Sequence, residues 1–98
     1  MPEMTFTVRW PDGRTDECYS PSLVMHDHLT VGSSYTIEDF TVRSTTALDE
    51  ASERVRKKFG FACSSAAITS EHIVAAAGRY APNGVVEVVS MSPGREAL

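Results

Sequence analysis

No apolar run in the 98-residue chain approaches the ~20 residues that cross a bilayer. The first ten residues lack the basic stretch and apolar run of a secretory signal, so the expected compartment is cytoplasmic. There are only two cysteines, Cys18 and Cys63, and in that compartment both are expected to be free thiols rather than a disulfide. No glycine-rich phosphate loop, dinucleotide fingerprint or paired-carboxylate signature occurs. Internal repeats and low-complexity tracts are missing too. Nor is there an excess of positive charge: nine Lys and Arg stand against 13 Asp and Glu, a net −4. That balance argues against general affinity for nucleic acid or anionic membrane.

What remains is an ordinary globular composition, 42% hydrophobic and 22% charged, long enough for one core. The most strongly patterned stretch runs from Tyr35 to Gly60. Ile37, Phe40, Thr41, Ser44, Ala47, Leu48, Ala51, Val55 and Phe59 recur at the three-and-four spacing of one helical face. Thr36 suits the N-cap, and Gly60 the left-handed residue past the C-terminus. Lys57 and Lys58 complement the dipole in the last turn. Glu50 with Arg54, and Glu53 with Lys57, are spaced as i,i+4 ion pairs. Thr41, Val42, Thr45 and Thr46 are poor helix formers, which leaves one long helix or a break near Ser44. The spacing favours one helix.

Around this helix the chain reads in order. Met4, Phe6, Val8 and Trp10 alternate with polar residues, as in a strand with one apolar face. Pro11-Asp12-Gly13 suits a three-residue hairpin loop, which would pair Val8 with Asp16 and Phe6 with Cys18. A two-residue Asp12-Gly13 turn would instead set Phe6 opposite Tyr19. The Pro-led loop is favoured because it places Cys18 on the Phe6 side. Ser20–Ser34 is ambiguous between a short helical turn and an extended arm. A second helix is expected between Ser64 and Tyr80, starting near Ser64 or near Thr69, with Ile73, Val74, Ala77 and Tyr80 on its apolar side. Val85–Val89 reads as a strand that is apolar on both faces, either paired with the hairpin or offered as an edge to a second copy of the chain. Residues 1–91 are expected to form one domain and 92–98 a flexible tail.

Several residues have side chains able to do chemistry. Cys18, His26, His28 and Cys63 are the right types for zinc, but their spacing matches no zinc motif, so no metal is expected. Cys63, ahead of Ser64 and Ser65, could be activated at a helix N-terminus. His26-Asp27-His28 could supply an acid or base. Trp10, Arg9 and Arg14 at the hairpin tip are residue types favoured in partner contacts, against the plainer alternative of Trp10 covering the sheet end under Arg14.

FTVRWPDG at 6–13, CYSPSLV at 18–24, HDHL at 26–29, Gly32, Tyr35, Ala47-Leu48, ASERVR at 51–56 and GFACSSA at 60–66 form a specific pattern. With it the chain resembles the small bacterial nitrogen starvation response proteins over residues 1 to about 66. Members of that family are typically encoded beside a nitrilase-type enzyme, a radical-SAM protein, an acetyltransferase-like protein and a flavoprotein. Such clusters are linked to nitrile or cyanide nitrogen use. The resemblance implies no assigned catalytic residue. Among the shared motifs, Cys18, Tyr19, Ser20, His26, Asp27, His28, Cys63 and Ser64 are the residues able to mark a site.

The expected fold is α+β: an N-terminal β-hairpin, a long central α-helix, a second α-helix and a C-terminal strand completing a small antiparallel sheet of three strands. The expected function is that of a non-catalytic accessory protein, made on nitrogen starvation and binding a protein from the same gene cluster. No cofactor, nucleic acid or membrane is expected, and a homodimer is compatible with the chain's size. The alternative is a small enzyme or ligand-binding protein using Cys63 or the His26/His28 loop.

Overall fold

The alternating N-terminal segment and the turn after it fold as the pattern dictates. In the computed structural model, which describes residues 3–60 and 64–97, strand β1 (Met4–Arg9) pairs antiparallel with β2 (Thr15–Ser20). Phe6 stands opposite Cys18 and Val8 opposite Asp16, the register the Pro-led loop implies. Trp10 N–H donates to the Arg14 carbonyl at 2.7 Å, and Gly13, at φ 92°, closes the loop onto Trp10. Only glycine takes that backbone angle at little cost.

The central helix α1 spans Ile37–Phe59 without a break. Phe59, expected on its apolar face, is exposed. Two of its threonines satisfy their hydroxyls on carbonyls of the preceding turn. Thr41 Oγ1 donates to the Ile37 carbonyl at 2.7 Å, and Thr45 Oγ1 to that of Thr41 at 2.8 Å. Thr36 caps the start by accepting from Asp39 N–H at 3.1 Å, and Gly60 ends the helix at φ 83°. The first N–H groups of α1 find the carbonyls of Gly84 and Pro82, so the 82–84 turn serves as a second cap. The surface pairs differ from those expected. Glu53 bonds Arg56, Glu50 meets His28, and Arg54 reaches Ser22 Oγ. Ser44 Oγ is buried with no hydrogen-bond partner among the described residues.

Helix α2 covers Ser64–Ala77, taking the earlier of the two expected starts. It buries Ala66, Thr69, Ile73, Ala76 and Ala77, whereas Val74, expected on the inner side, is exposed.

Among the described residues the sheet has four antiparallel strands rather than three, in the order β2-β1-β4-β3. The added strand, β3, is Ser34–Thr36, directly before α1. Strand β4 (Val85–Ser92) lies between β1 and β3. It is therefore interior, not the edge expected to receive a second copy. Its valines are not apolar on two buried faces. Val86 and Val88 are buried, while Val85 and Val89 are exposed. A bulge at Val89, where the partners step from Val8–Val88 to Thr7–Ser90, resets the alternation so that Met91 also points into the core. Met91 thus packs in the core, and β4 runs one residue past position 91.

Both helices lie on one face of the sheet, α2 against β2 and α1 against β3 and β4. Between them sit Phe6, Val8, Trp10, Phe40, Leu48, Ile73 and Val88. The other face is mostly polar, with Thr5, Thr7, Arg9 and Glu87 partly or fully exposed beside the exposed Val85. The 3₁₀ helix Leu23–Asp27 settles the ambiguous stretch as a helical turn, and it buries Leu23, Val24, Met25 and His26 against α1. Among the described residues, no helix is long and apolar enough to cross a membrane.

Candidate functional site

The residues able to mark a site divide between two places. The first is the corner where β2 turns into the 3₁₀ helix. Ser20 is buried there and donates from Oγ to the Ser22 carbonyl at 2.8 Å, while Ser22 Oγ accepts from Val24 N–H and caps the turn. His26 is buried, and its Nε2 lies 2.9 Å from the Pro93 carbonyl. A carbonyl can only accept, so Nε2 carries the proton. Arg95 donates to the His26 carbonyl at 2.6 Å, so the residues after β4 close over this corner. His28 Nε2 donates to Glu50 Oε1 at 3.0 Å, and Arg43 reaches the His28 carbonyl at 3.2 Å. Asp27 is exposed. The two histidines thus serve different partners, tying the turn to the C-terminal segment and to α1.

The second place is β2 itself. Tyr19 lies on the open face, where its hydroxyl donates to Glu3 at 2.8 Å. Cys18 points the other way, into the core, with a free thiol. Burial, with the charges of Asp16 and Glu17 beside it, pushes this thiol up to about 12. It is therefore protonated and inert near neutral pH. Ser64 is exposed at the start of α2. Cys63 lies outside the described residues. Among the described residues, no three His, Cys, Asp or Glu side chains converge as a metal-binding group.

The hairpin tip differs from both readings of Trp10. The indole is buried and stacks on Tyr80 (5.7 Å between centroids, 10° between planes) instead of lying under Arg14. It also meets Phe40 edge-on at 5.6 Å. Arg9 is engaged with Glu87 at 2.9 Å. Arg14 N–H donates to Asp12 Oδ1, which lowers the Asp12 carboxyl, helped by the Tyr80 hydroxyl and the Arg14 charge. Burial raises Tyr80, and its bond to Asp12 adds to the effect. Trp10 is thus packed into this corner, while Arg9 and the loop residues 11–14 around it are exposed.

One constellation has no local signature in the sequence. Asp16 Oδ2 accepts from Trp10 Nε1 at 2.7 Å and faces His72 Nε2 at 3.2 Å. The Trp10–Asp16 half follows from the hairpin register, which puts Asp16 diagonal to a buried indole that needs an acceptor. His72 sits 56 residues further along, on a helix whose phase alanines conceal. Beside this pair, α2 and the outer edge of β2 enclose a shallow cleft of about 370 Å³.

The class that fold and geometry define is a two-layer α+β open sandwich with one helical face, a polar sheet face and a cleft along one strand edge. Within that class, the chain belongs to the family of the nitrogen starvation-induced protein NitG, whose family model matches residues 5–91. The comparison with curated proteins gives no match. The comparison with solved structures gives none either.

Proposed function

We propose that the chain is a non-catalytic accessory protein that binds a protein partner from a nitrogen-scavenging gene cluster of the nitrile or cyanide type, in the cytoplasm. One observation carries this reading. Ser20, His26 and His28 use their polar atoms to hold the fold, and Cys18 is buried as a neutral thiol. These groups have no arrangement in which one activates another. The surface offers instead shallow openings, one of them between α2 and β2, suited to a second polypeptide. Family membership supplies the nitrogen-starvation setting.

The test is co-purification of the untagged chain with a tagged nitrilase-type enzyme and a tagged flavoprotein from such a cluster. A stoichiometric complex with micromolar or tighter affinity is the expected result. Absence of binding to every cluster protein at about 10 µM would remove the reading.

A further inference from the structure

We infer that the β2–α2 cleft takes an extended segment of the partner as a fifth strand, one that alternates apolar and basic side chains. This rests on the partner-binding reading above and adds where the partner docks and what its chemistry is.

Strand β2 is terminal in the sheet and, among the described residues, pairs with β1 alone. Antiparallel pairs alternate between bonded and non-bonded. Trp10 N–H bonds the Arg14 carbonyl, so the next bonded pair is Val8–Asp16 and the non-bonded ones are Arg9–Thr15 and Thr7–Glu17. The N–H and C=O groups of Thr15 and Glu17 therefore point away from β1, in the direction a further strand would occupy. An edge left open in this way among the described residues is a template for strand addition.

The cleft sets the side-chain preferences. Residues 16–19 line it from the strand, with Asp16 and Cys18 on the α2 side, and Ile68, Thr69 and His72 line it from the helix. Ile68 is 63% exposed, an apolar surface directly beside the edge. On the opposite face of the sheet the edge presents Glu17. An added strand sends alternate residues to these two faces. Residues toward α2 meet Ile68 and are best apolar, and residues toward the open face meet Glu17 and are best Lys or Arg. Charge also speaks against a second copy as the occupant. The chain is net −4, and self-pairing centred on residue 16 or 17 sets two carboxylates opposite each other.

The probe is a synthetic peptide alternating Val and Lys, matched in length to the six residues of β2. It is titrated into the full ¹⁵N-labelled chain. The expected result is saturable shifts at the amides of Thr15, Glu17 and Ile68, with binding about tenfold weaker for a Val/Glu peptide. Glu17→Pro removes one outward N–H at an edge position where proline is tolerated, and Ile68→Lys removes the apolar contact. Each should weaken the peptide about tenfold while the helical circular dichroism stays unchanged. No saturation up to about 1 mM, shifts centred elsewhere, or equal binding of the Val/Glu peptide would overturn the inference. So would a dimer in sedimentation that Glu17→Pro abolishes, because the edge would then belong to a second copy. A cluster enzyme captured equally by wild type and Glu17→Pro sinks the cleft and leaves the accessory role standing. A cleft that saturates with Val/Lys while no cluster enzyme binds does the reverse.

Discussion

The two helices cover one sheet and are held to it by different means. Helix α1 inserts large side chains, Ile37, Phe40, Leu48 and Val55, and both its ends are capped by backbone or side-chain groups. Helix α2 offers Ala66, Ala76 and Ala77, with Ile73 as its one large buried aliphatic residue, and turns Ile68 and Val74 outward. Alanine lets the helix approach closely but removes little apolar area from water. The comparison teaches that the chain is anchored along β3, β4 and α1, and more lightly held along β2 and α2. The proposed docking cleft lies on the lighter side, where local opening is least costly.

The largest effect that probes this contrast is truncation of one anchor in each helix. Phe40→Ala should cost about 3–5 kcal/mol, enough to unfold much of a marginal domain. The Phe40 ring also meets Trp10 edge-on, so its loss disturbs the hairpin tip as well. Ile73→Ala should cost about 2–4 kcal/mol, at the lower end, because small neighbours can close around the gap. Urea unfolding of both variants measures the difference. A larger loss at Ile73 than at Phe40 would reverse the order of the two helices.

The same contrast explains what could be read from the sequence. The α1 periodicity, its Thr36 and Gly60 caps and the Pro11–Gly13 loop are local signals, each made by residues within a few positions of one another, and all three are observed. Strand β3 has no such signal. Ser34, Tyr35 and Thr36 are extended because β4 lies beside them. Helix α2 hid its phase because alanine fits either side, so Val74 was placed inward on pattern alone. The inward turn of Met91 depends on a bulge that no single stretch encodes. The candidate site was least legible. That Ser20 and His26 have structural roles is decided by Ser22 locally but by Pro93 67 residues away. The Asp16–His72 pair needed both the hairpin register and the helix phase.

A smaller effect reports on the lighter side directly. The Cys18 thiol is covered by the α2 face of the sheet, and burial raises it from an ordinary 9.0 to about 12. The folded state therefore holds its proton where the unfolded chain releases it. The stability this contributes is complete below pH 9 and falls as pH rises toward 12, by up to roughly 1.4 kcal/mol per pH unit. Urea midpoints at pH 8 and pH 10, compared between wild type and Cys18→Ala, isolate the dependence. Only the wild type should lose stability through this group. Iodoacetamide labelling at pH 8, mapped by mass spectrometry, should reach Cys18 only on opening of the β2–α2 layer. Labelling of native Cys18 at the rate of a free thiol would mean that α2 does not cover it.

The smallest expected effect concerns a polar tie within the lighter side, between β2 and α2. His72 Nε2 faces Asp16 Oδ2 at 3.2 Å with the imidazole half-exposed, so the pair is worth about 0.2–1 kcal/mol at most. Trp10 complicates a simple deletion, because its buried indole N–H needs the Asp16 oxygen. Asp16→Ala would strand that donor and cost about 1–3 kcal/mol for a reason unrelated to His72. Asp16→Asn keeps an oxygen acceptor for the indole while removing the charge that faces the imidazole. A double-mutant cycle of Asp16→Asn and His72→Gln therefore isolates the tie. A coupling of a few tenths of a kcal/mol is the expected result. A coupling above about 2 kcal/mol would make α2 an electrostatically fastened helix, and the contrast with α1 would then be one of chemistry rather than of strength.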